Sequence, residues 1–590
     1  MDPLLRAATA RDLRDRGCAP GPGRARAGVV RVTVARTRCV CLVGVTGHVV
    51  DVEADVGSGV AGTHLIGMLD TALSEARDRV RSAVVNSRHA WPDARITISL
   101  FPASLPKRGS MFDLAIAVAL LAAAGAVPRD RVAALFFLGE LGLDGSIRSV
   151  RGVLPAVLAA AGAGARTVVV PAGNAAEAGL VREMTVIPAS TLGDLVGWLR
   201  GDGPARPLPS PSRGTPDAGT PAAGALASAT PGSAWPASGG PGSGACRSGP
   251  DGGAAGPGGP GAPGAPGSGG AGPDLSDVAG QPFARRALEI CAAGGHNLWM
   301  LGPPGTGKTM LAERLPTLLP PLEHDQALEV TAIHSVAGRL PADRPLLTRP
   351  PFVAPHHTAT IAAVVGGGSG AIRPGAASLA HGGVLFLDEA PEFSMNVLDA
   401  LRQPLESGKV TVSRAMGEVT FPARFALVLA ANPCPCAQPS RPEDPCRCSP
   451  GARRRYLSRL SGPLLDRVDV KVTLLRATRR ELLADRRFAE PSRTVAERVL
   501  LARERAAKRF AGTPWRCNAE VPTGALHTDY RLPAAAMAPL LGCLDNGVLS
   551  ARGLDRVLRV AWTIADLKGR DRPGVEETRA ALGLWLGEER

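Results

Sequence analysis

The octapeptide Gly302-Pro303-Pro304-Gly305-Thr306-Gly307-Lys308-Thr309 follows an apolar run and opens a helical stretch. Glycines at this spacing let backbone N–H groups approach a phosphate, at a helix start whose partial positive charge favours an anion. Lys308 is placed to hold the β- and γ-phosphates of ATP, and Thr309 to offer its hydroxyl to Mg²⁺. A chance glycine-rich turn shares some of these letters, but rarely with the flanking strand and helix and one of only six lysines in the chain. A second apolar run, VLFL, ends in Asp388 and Glu389. Asp388 suits the outer shell of Mg²⁺, and Glu389 the base that orients and deprotonates an attacking water. Together these residues point to ATP hydrolysis.

Further carriers of this chemistry lie downstream. FALVLAA ends at Asn432, the arrangement of the first sensor strand in AAA+ ATPases, where the amide helps place water against the γ-phosphate. In LLDRVD, Arg467 stands where an arginine finger reaches the ATP of a neighbouring subunit; a surface salt bridge is the plainer alternative. Arg552, Arg556 and Arg559 fall on one helix face by their i, i+4, i+7 spacing. Arg552 is read as the second sensor, the other two as a solvated basic stripe.

A different chemistry is suggested, then refused, by LPKRGSMFDL at 105–114. It has the frame around the serine of Lon-type proteases, but Met111 stands at the serine position, and the same pattern puts Leu154 at the lysine position. A Ser–Lys protease needs a hydroxyl and a lysine that loses its proton. Ser110 is one residue off and Lys107 belongs to the turn, so the domain reads as a protease-shaped scaffold for assembly or DNA guidance.

Cys434, Cys436, Cys446 and Cys448 give C-x-C, nine residues, C-x-C, a set that four-coordinate Zn²⁺ would accept as a structural site; reduced thiols grouped by chance are the alternative. GKVTVSRAMGEVTF reads as a β-hairpin ahead of the Asn432 strand, with Lys409 and Arg414 as candidate DNA phosphate contacts or as ordinary solvated charges. His356 and His357 would suit a metal pair, although adjacent histidines more often bond locally, and they carry no assignment.

These residues need elements to hold them. Residues 29–200 alternate β-like runs (VVRVTVA, HVVDVEADV, ARITISL, RTVVVPA) with helical ones, an α/β or α+β domain. Residues 201–273 are mostly Gly, Pro, Ala and Ser, too poor in apolar surface to fold, and read as a flexible tether. A second α/β domain spans 274–475, and 476–590 turn helical; residues 1–28 read as a disordered extension. Net charge is +14, fitting a phosphate-rich partner, although this arginine-rich usage also accompanies a GC-rich genome. The N-terminus lacks the apolar core of a signal peptide, and the apolar run 114–127 is too short to span a bilayer. Eleven cysteines in such a chain favour reduced thiols or a metal, and a cytoplasmic protein without membrane contact.

Residues 29–200 and 274–590 resemble the ComM/YifB family of magnesium chelatase-like AAA+ ATPases, through ASLPKRGSMFDLAIA, PFVAPHHTAT, GGVLFLDEAPEF, AANPCPC, RLSGPLLDRVDV and SARGLDRVLRVAWTIADLKG. The resemblance implies a Lon-protease-like domain of ribosomal-S5 type before a P-loop AAA+ module with a C-terminal helical lid. It also implies a ring, usually a hexamer, in which Arg467 acts in trans, using ATP and Mg²⁺ for branch migration of DNA in natural transformation. Departures are Met68-Leu69-Asp70 for the usual Leu-Pro-Asp, Ala115 for a proline and Trp562 for a common arginine; none touches ATP. A chelatase motor subunit is the rival enzyme reading, which the Lon-like domain disfavours. An ATP-gated scaffold is the third, which Glu389 and Arg467 disfavour. The long tether is expected to loosen the geometry between the N-terminal domain and the ring.

Overall fold

The computed structural model of the protein describes residues 34–67, 73, 75–107, 109–202, 272–341, 343–368, 372–414, 417–436, 446–483 and 489–587. The N-terminal extension, nearly all of the tether and the departures at Met68 and Asp70 lie outside the described residues.

The N-terminal domain runs β1 (Ala35–Val43), β2 (Thr46–Gly57), β3 (Gly62–Ile66), α1 (Ala76–Asn86), β4 (Arg95–Phe101), α2 (Asp113–Ala123), β5 (Phe136–Phe137), α3 (Val153–Gly162), β6 (Thr167–Pro171), β7 (Thr185–Ala189) and α4 (Leu192–Arg200). Its sheet has the order β3-β4-β2-β1-β5-β6-β7. The β1–β2 hairpin and the β2–β4 pair are antiparallel, whereas β1, β5, β6 and β7 pair in parallel. Val50, Val52 and Ala54 alternate into the core at the two-residue period of a strand. All eleven residues of α2 are buried: ten are apolar, and Asp113 at its start is paired with Arg79 at 2.8 Å.

The second domain runs α5 (Pro282–Gly294), β8 (Leu298–Leu301), α6 (Lys308–Leu318), α7 (His324–Ala337), β9 (Phe352–Val353), α8 (Ile361–Val364), β10 (Gly366–Gly367), β11 (Arg373–Pro374), β12 (Val384–Leu387), β13 (Lys409–Arg414), β14 (Gly417–Pro422), β15 (Ala426–Ala431), α9 (Pro450–Leu457) and β16 (Val470–Thr473). Its central sheet, β9-β12-β15-β8-β16, is parallel throughout. Both faces are covered, which is why its strands read as continuous apolar runs. Met300, Phe386, Val428 and Val472 pack on one face; Leu385, Leu387, Leu427 and Leu429 pack on the other with Phe393 and Leu464. The order β12-β15-β8 makes the ends carrying Asp388-Glu389, Asn432 and the 302–309 loop immediate neighbours, at the carboxyl edge where parallel sheets bind ligands.

The helical region includes α10 (Ser492–Arg509), α11 (Ala534–Asp545), α12 (Ala551–Lys568) and α13 (Val575–Leu586). Val495, Val499, Ala502 and Ala506 form a buried stripe on α10, continuous with Leu288 of α5 and Leu311 of α6. The boundary after 475 is therefore a change of element type, while the packing runs across it. No helix among the described residues is long and apolar enough to cross a membrane.

The expected looseness between the two halves is corrected by their contact. Ala332 of α7 is buried in the N-terminal domain's apolar cluster, with Leu328 packed against it. The Gly152 N–H donates to the Ser335 carbonyl at 3.3 Å, and the Ser335 hydroxyl donates to the buried Glu177 carboxylate. A tether leaves two domains free only when their surfaces do not complement each other; here α7 supplies the complement.

Candidate ATP site

The loop 302–309 is shaped by glycines with different tasks. Gly305 and Gly307 have φ of +77° and +87°, where side chains are strained, and an added Cβ at either would meet nothing within 4 Å. Gly302 instead keeps strands close: a Cβ there would come 2.9 Å from the Leu474 carbonyl oxygen. The loop closes on itself through the Thr306 hydroxyl, which donates to the Pro303 carbonyl at 2.8 Å, and Pro304 continues the turn into Gly305. The result is an open cradle at the start of α6.

Lys308 and Asn432 come together as their strand ends require. The Lys308 Nζ donates to the carbonyls of Gly302 (2.8 Å) and Pro303 (3.0 Å) and to Asn432 Oδ1 (3.0 Å). Burial pushes the Lys308 pKa below its ordinary value, with Asp388 and Glu389 opposing the shift. The Thr309 hydroxyl donates to Asp388 Oδ2 at 2.7 Å. A hydroxyl and a carboxylate so close are the hard oxygen donors Mg²⁺ selects, and the cradle beside them fits phosphate, so the residues present suit a magnesium nucleotide. Glu389 sits in the left-handed region, φ +50°, uncommon for a residue with a side chain. Its carboxylate lies 3.4 Å from His357 Nδ1.

The arginines divide differently from the sequence expectation. Arg467 is turned inward, its side chain 10% exposed, donating to Glu406 and to the Pro463 carbonyl (2.6 Å). Arg552 is the open one, 76% exposed and 4.0 Å from Asp466. The solvated stripe expected for Arg556 and Arg559 is overturned. Arg556 donates to the buried Asp469 at 2.8 Å, and Arg559, half-buried, donates to the Val521 carbonyl at 2.8 Å. The cause is tertiary: α12 lies across α5, so its arginine face meets protein rather than water. Asp469 also accepts from the Asn297 N–H at 3.0 Å and lies 3.6 Å from His296. Burial alone would raise its carboxyl, but the Arg556 charge and the His296 contact hold it well below the carboxylate range. Asp469 thereby ties the start of β8, the approach to β16 and the lid together. Its place two residues after Arg467 gave no sequence signal of that burial.

In the N-terminal domain Ser110 donates to Glu140, and Lys107 is fully buried and donates to the Pro102 carbonyl; burial lowers its pKa. Met111 lines a cavity of about 510 Å³ between the two halves, with Cys41, Glu140, Arg151, Arg373 and Val419. Leu154 is buried at the start of α3, and its N–H donates to Glu177 at 2.8 Å. No serine–lysine pair forms at these positions among the described residues.

The four cysteines converge. Sγ atoms of Cys434 and Cys436 are 3.1 Å apart, Cys436 and Cys446 3.5 Å, Cys446 and Cys434 3.3 Å; with Cys448, all lie within 4.8 Å of one another. A hydrogen bond from the Cys448 backbone draws the Cys446 thiol down to about 6, while burial pushes Cys434 up to about 12. The hairpin β13–β14 forms with Lys409 opposite Pro422 and Arg414 opposite Gly417, both basic side chains exposed. Three further exposed arginines, Arg453, Arg454 and Arg455, stand on α9 beside the cysteines. Sequence reading passed over them, although the run RRR was its own signal. His356 bonds locally, Nδ1 to Thr358 Oγ1 at 2.8 Å. His357 does not, and turns to Glu389.

Comparison with known proteins agrees with this arrangement. Residues 274–482 match the family model described as magnesium chelatase, subunit ChlI; 52–174 match subunit ChlI of Mg-chelatase; 489–584 match its C-terminal model. An uncharacterised protein of Mycobacterium tuberculosis is 49% identical over 94% of this chain and 99% of its own length. YifB of Escherichia coli is 37% identical over 92% of the chain and 94% of its own, and competence protein ComM of Haemophilus influenzae 38% over 92% and 95%. These matches imply the use of ATP and Mg²⁺, which the 302–309 cradle, Thr309 and Asp388 fit. The chain belongs to the ComM/YifB family of magnesium chelatase-like, AAA+-like ATPases.

Proposed function

We propose that this ATPase is a ring-forming motor, of hexameric type, that moves branched or single-stranded DNA. The observation that carries the reading is the path from an exposed basic hairpin to the ATP site: β14 ends at Pro422, β15 begins at Ala426, and Asn432 follows β15 against Lys308. A phosphate backbone held by Lys409 and Arg414, with Arg453, Arg454 and Arg455 nearby in sequence to the sensor loop, would be pulled by the element that senses the γ-phosphate. The competence name of the Haemophilus relative favours the same substrate.

In the ATP step, Lys308 binds phosphate, Glu389 orients water and accepts its proton, and Asn432 fixes the water's approach. Mg²⁺, held by Thr309 and through Asp388, supplies charge neutralisation at the phosphates. Arg467 of an adjoining subunit leaves Glu406 to stabilise the developing charge, and Arg552 completes the site from the lid. The N-terminal domain is read as a Lon-like scaffold without protease chemistry. A chelatase motor subunit remains the second reading, favoured by the match of three stretches of the chain to magnesium chelatase family models.

The test is steady-state ATP hydrolysis with and without single-stranded and four-way-junction DNA, beside Glu389→Gln. Stimulation by DNA that vanishes in the variant is expected; hydrolysis indifferent to DNA but raised by a chelatase partner subunit would transfer the chain to the second reading.

The cysteine cluster is assigned one structural Zn²⁺. Zn–S bonds of about 2.3 Å in a tetrahedron put sulfurs roughly 3.8 Å apart, and unmetallated thiols gain little from gathering at 3.1–3.5 Å. Purified protein should carry one zinc per chain, lost in Cys434→Ser; metal-free protein with all four thiols freely titratable would overturn the assignment.

A further inference from the structure

The cavity of about 510 Å³ between the two halves has the size of a small-molecule site, about 300–1,000 Å³, and lies at a domain boundary, where such sites are common. Its interior is apolar from both sides. Val40 and Leu42 of β1 and Met111 line it from the N-terminal domain; Val336 of α7, Ile372 and Val419 of β14 line it from the ATPase half. Val40 and Val419 are buried and the other four partly buried. The polar groups of the interior are bonded within the protein: the Cys41 thiol donates to the Pro106 carbonyl at 3.3 Å, and the Ser110 hydroxyl to Glu140. Arg151, Arg373 and Glu418, by contrast, line the same cavity and are exposed. The result is an apolar interior behind a charged mouth.

The two arginines of that mouth come from different halves, Arg151 from the turn before α3 and Arg373 from β11. Neither guanidinium has a hydrogen-bond or ion-pair partner among the described residues. Arg151 lies across the end of α7, where a Cβ at Gly338 would come 2.5 Å from its Nε. Against the two arginines stands Glu418 alone, so the mouth carries positive charge in excess.

We propose that this cavity binds an amphipathic anion, its apolar chain seated against Met111 and Val419 and its carboxylate or phosphate head at the mouth with Arg151 and Arg373. A guanidinium recognises both head groups through the same fork of N–H donors. Exposed arginines alone hold an anion weakly; burial of the attached chain supplies the rest of the affinity. Because the lining comes from both halves, the site is complete only when they are docked, and a ligand in it adds to the contact made by α7. The inference is independent of the ATP chemistry and of the DNA reading.

The experiment titrates the full-length protein with octanoate, octyl phosphate and octanol by isothermal titration calorimetry. At least one of the two anions should bind saturably at one site per chain, and octanol, with the same chain and no charge, about tenfold more weakly. The tighter anion identifies the head group. Arg151→Ala and Arg373→Ala, both at exposed positions, should each cost about tenfold in affinity, and lengthening hexanoate to octanoate should gain about fourfold per methylene. Bound anion should slow amide exchange in α7 and in β14 together, since Val336 and Val419 both line the site. Met111→Trp, which fills the cavity, should abolish binding; if it fails to fold, the arginine variants still decide. Octanol bound as tightly as the anions, affinity unchanged in both arginine variants, or no saturable binding of either anion overturns the proposal.

Discussion

At the ends of β8, β12 and β15, Lys308, Thr309, Asp388 and Asn432 bond across a cradle that Gly305 and Gly307 keep open. At the start of α3, the polar groups of the corresponding corner of the N-terminal domain are closed on one another, beside the cavity that Ser110, Met111 and Glu140 line. Leu154 is buried, Lys107 is spent on a backbone carbonyl, Ser110 on Glu140, and Glu177 binds the Leu154 N–H together with Ser335 of α7. Both corners gather polar groups; in one they border an open glycine cradle, in the other they fasten the protein to itself. A site is recognised less by its polar residues than by whether their partners are all internal.

The sharpest break in that comparison is a pair of substitutions read by ATP hydrolysis. Glu389→Gln removes the acceptor for the water proton and should lower turnover by about 10²- to 10⁴-fold, the usual worth of a general base. Ser110→Ala should leave turnover within about twofold, a change of under ~0.5 kcal/mol, since both it and its partner Glu140 lie in the N-terminal domain, away from the 302–309 cradle. Equal losses in both would mean that the N-terminal corner takes part in the chemistry.

A second contrast lies on α12, where Arg552 is open and Arg556 is tied in. Arg556→Ala leaves the Asp469 carboxylate buried without its guanidinium partner, and should cost about 3–5 kcal/mol of stability in denaturant unfolding. Arg552→Ala should cost less than about 1 kcal/mol while lowering ATP turnover. The pH dependence follows from the depressed Asp469 carboxyl. A carboxyl whose folded pKa is lowered contributes stability that is present above its unfolded value, about 4, and is lost as pH falls towards the folded value. The deficit of Arg556→Ala should therefore be full at pH 7 and narrow below about pH 4. A deficit independent of pH would place Arg556 outside this charge network.

The contrast also explains what was legible in the sequence. The 302–309 loop, Asp388, Glu389 and Asn432 could be read because each ends an apolar strand, and strand and motif share one short window. The parallel sheet followed from the same uniformly apolar runs. Arg556, Arg559 and His357 were illegible for one reason: their partners, Asp469, the Val521 carbonyl and Glu389, lie 87, 38 and 32 residues away. A helical spacing of three arginines tells which face they share, not whether that face meets water. The docking of the two halves was illegible likewise, because α7 follows the ATP loop's helix in sequence yet buries Ala332 in the other domain.

The smallest effect tests that docking. Glu177 accepts from the Leu154 N–H (2.8 Å), from Asn174 (3.2 Å) and from the Ser335 hydroxyl. Ser335→Ala removes the side-chain bond that crosses between the halves, keeps the Gly152 N–H to Ser335 carbonyl bond, and leaves the other two bonds to Glu177, so neither domain loses its own core. A hydrogen bond to a charged group is worth about 1.5–3 kcal/mol, and the two bonds that remain to Glu177 put the expected loss at the low end. The separation of α3 from α7 should become roughly tenfold easier for each 1.4 kcal/mol lost, seen as faster amide exchange in α7 while exchange in β8 and α6 is unchanged. If exchange in β8 and α6 quickens equally, α7 belongs to the ATPase core's own stability and the closed corner is not what joins the halves.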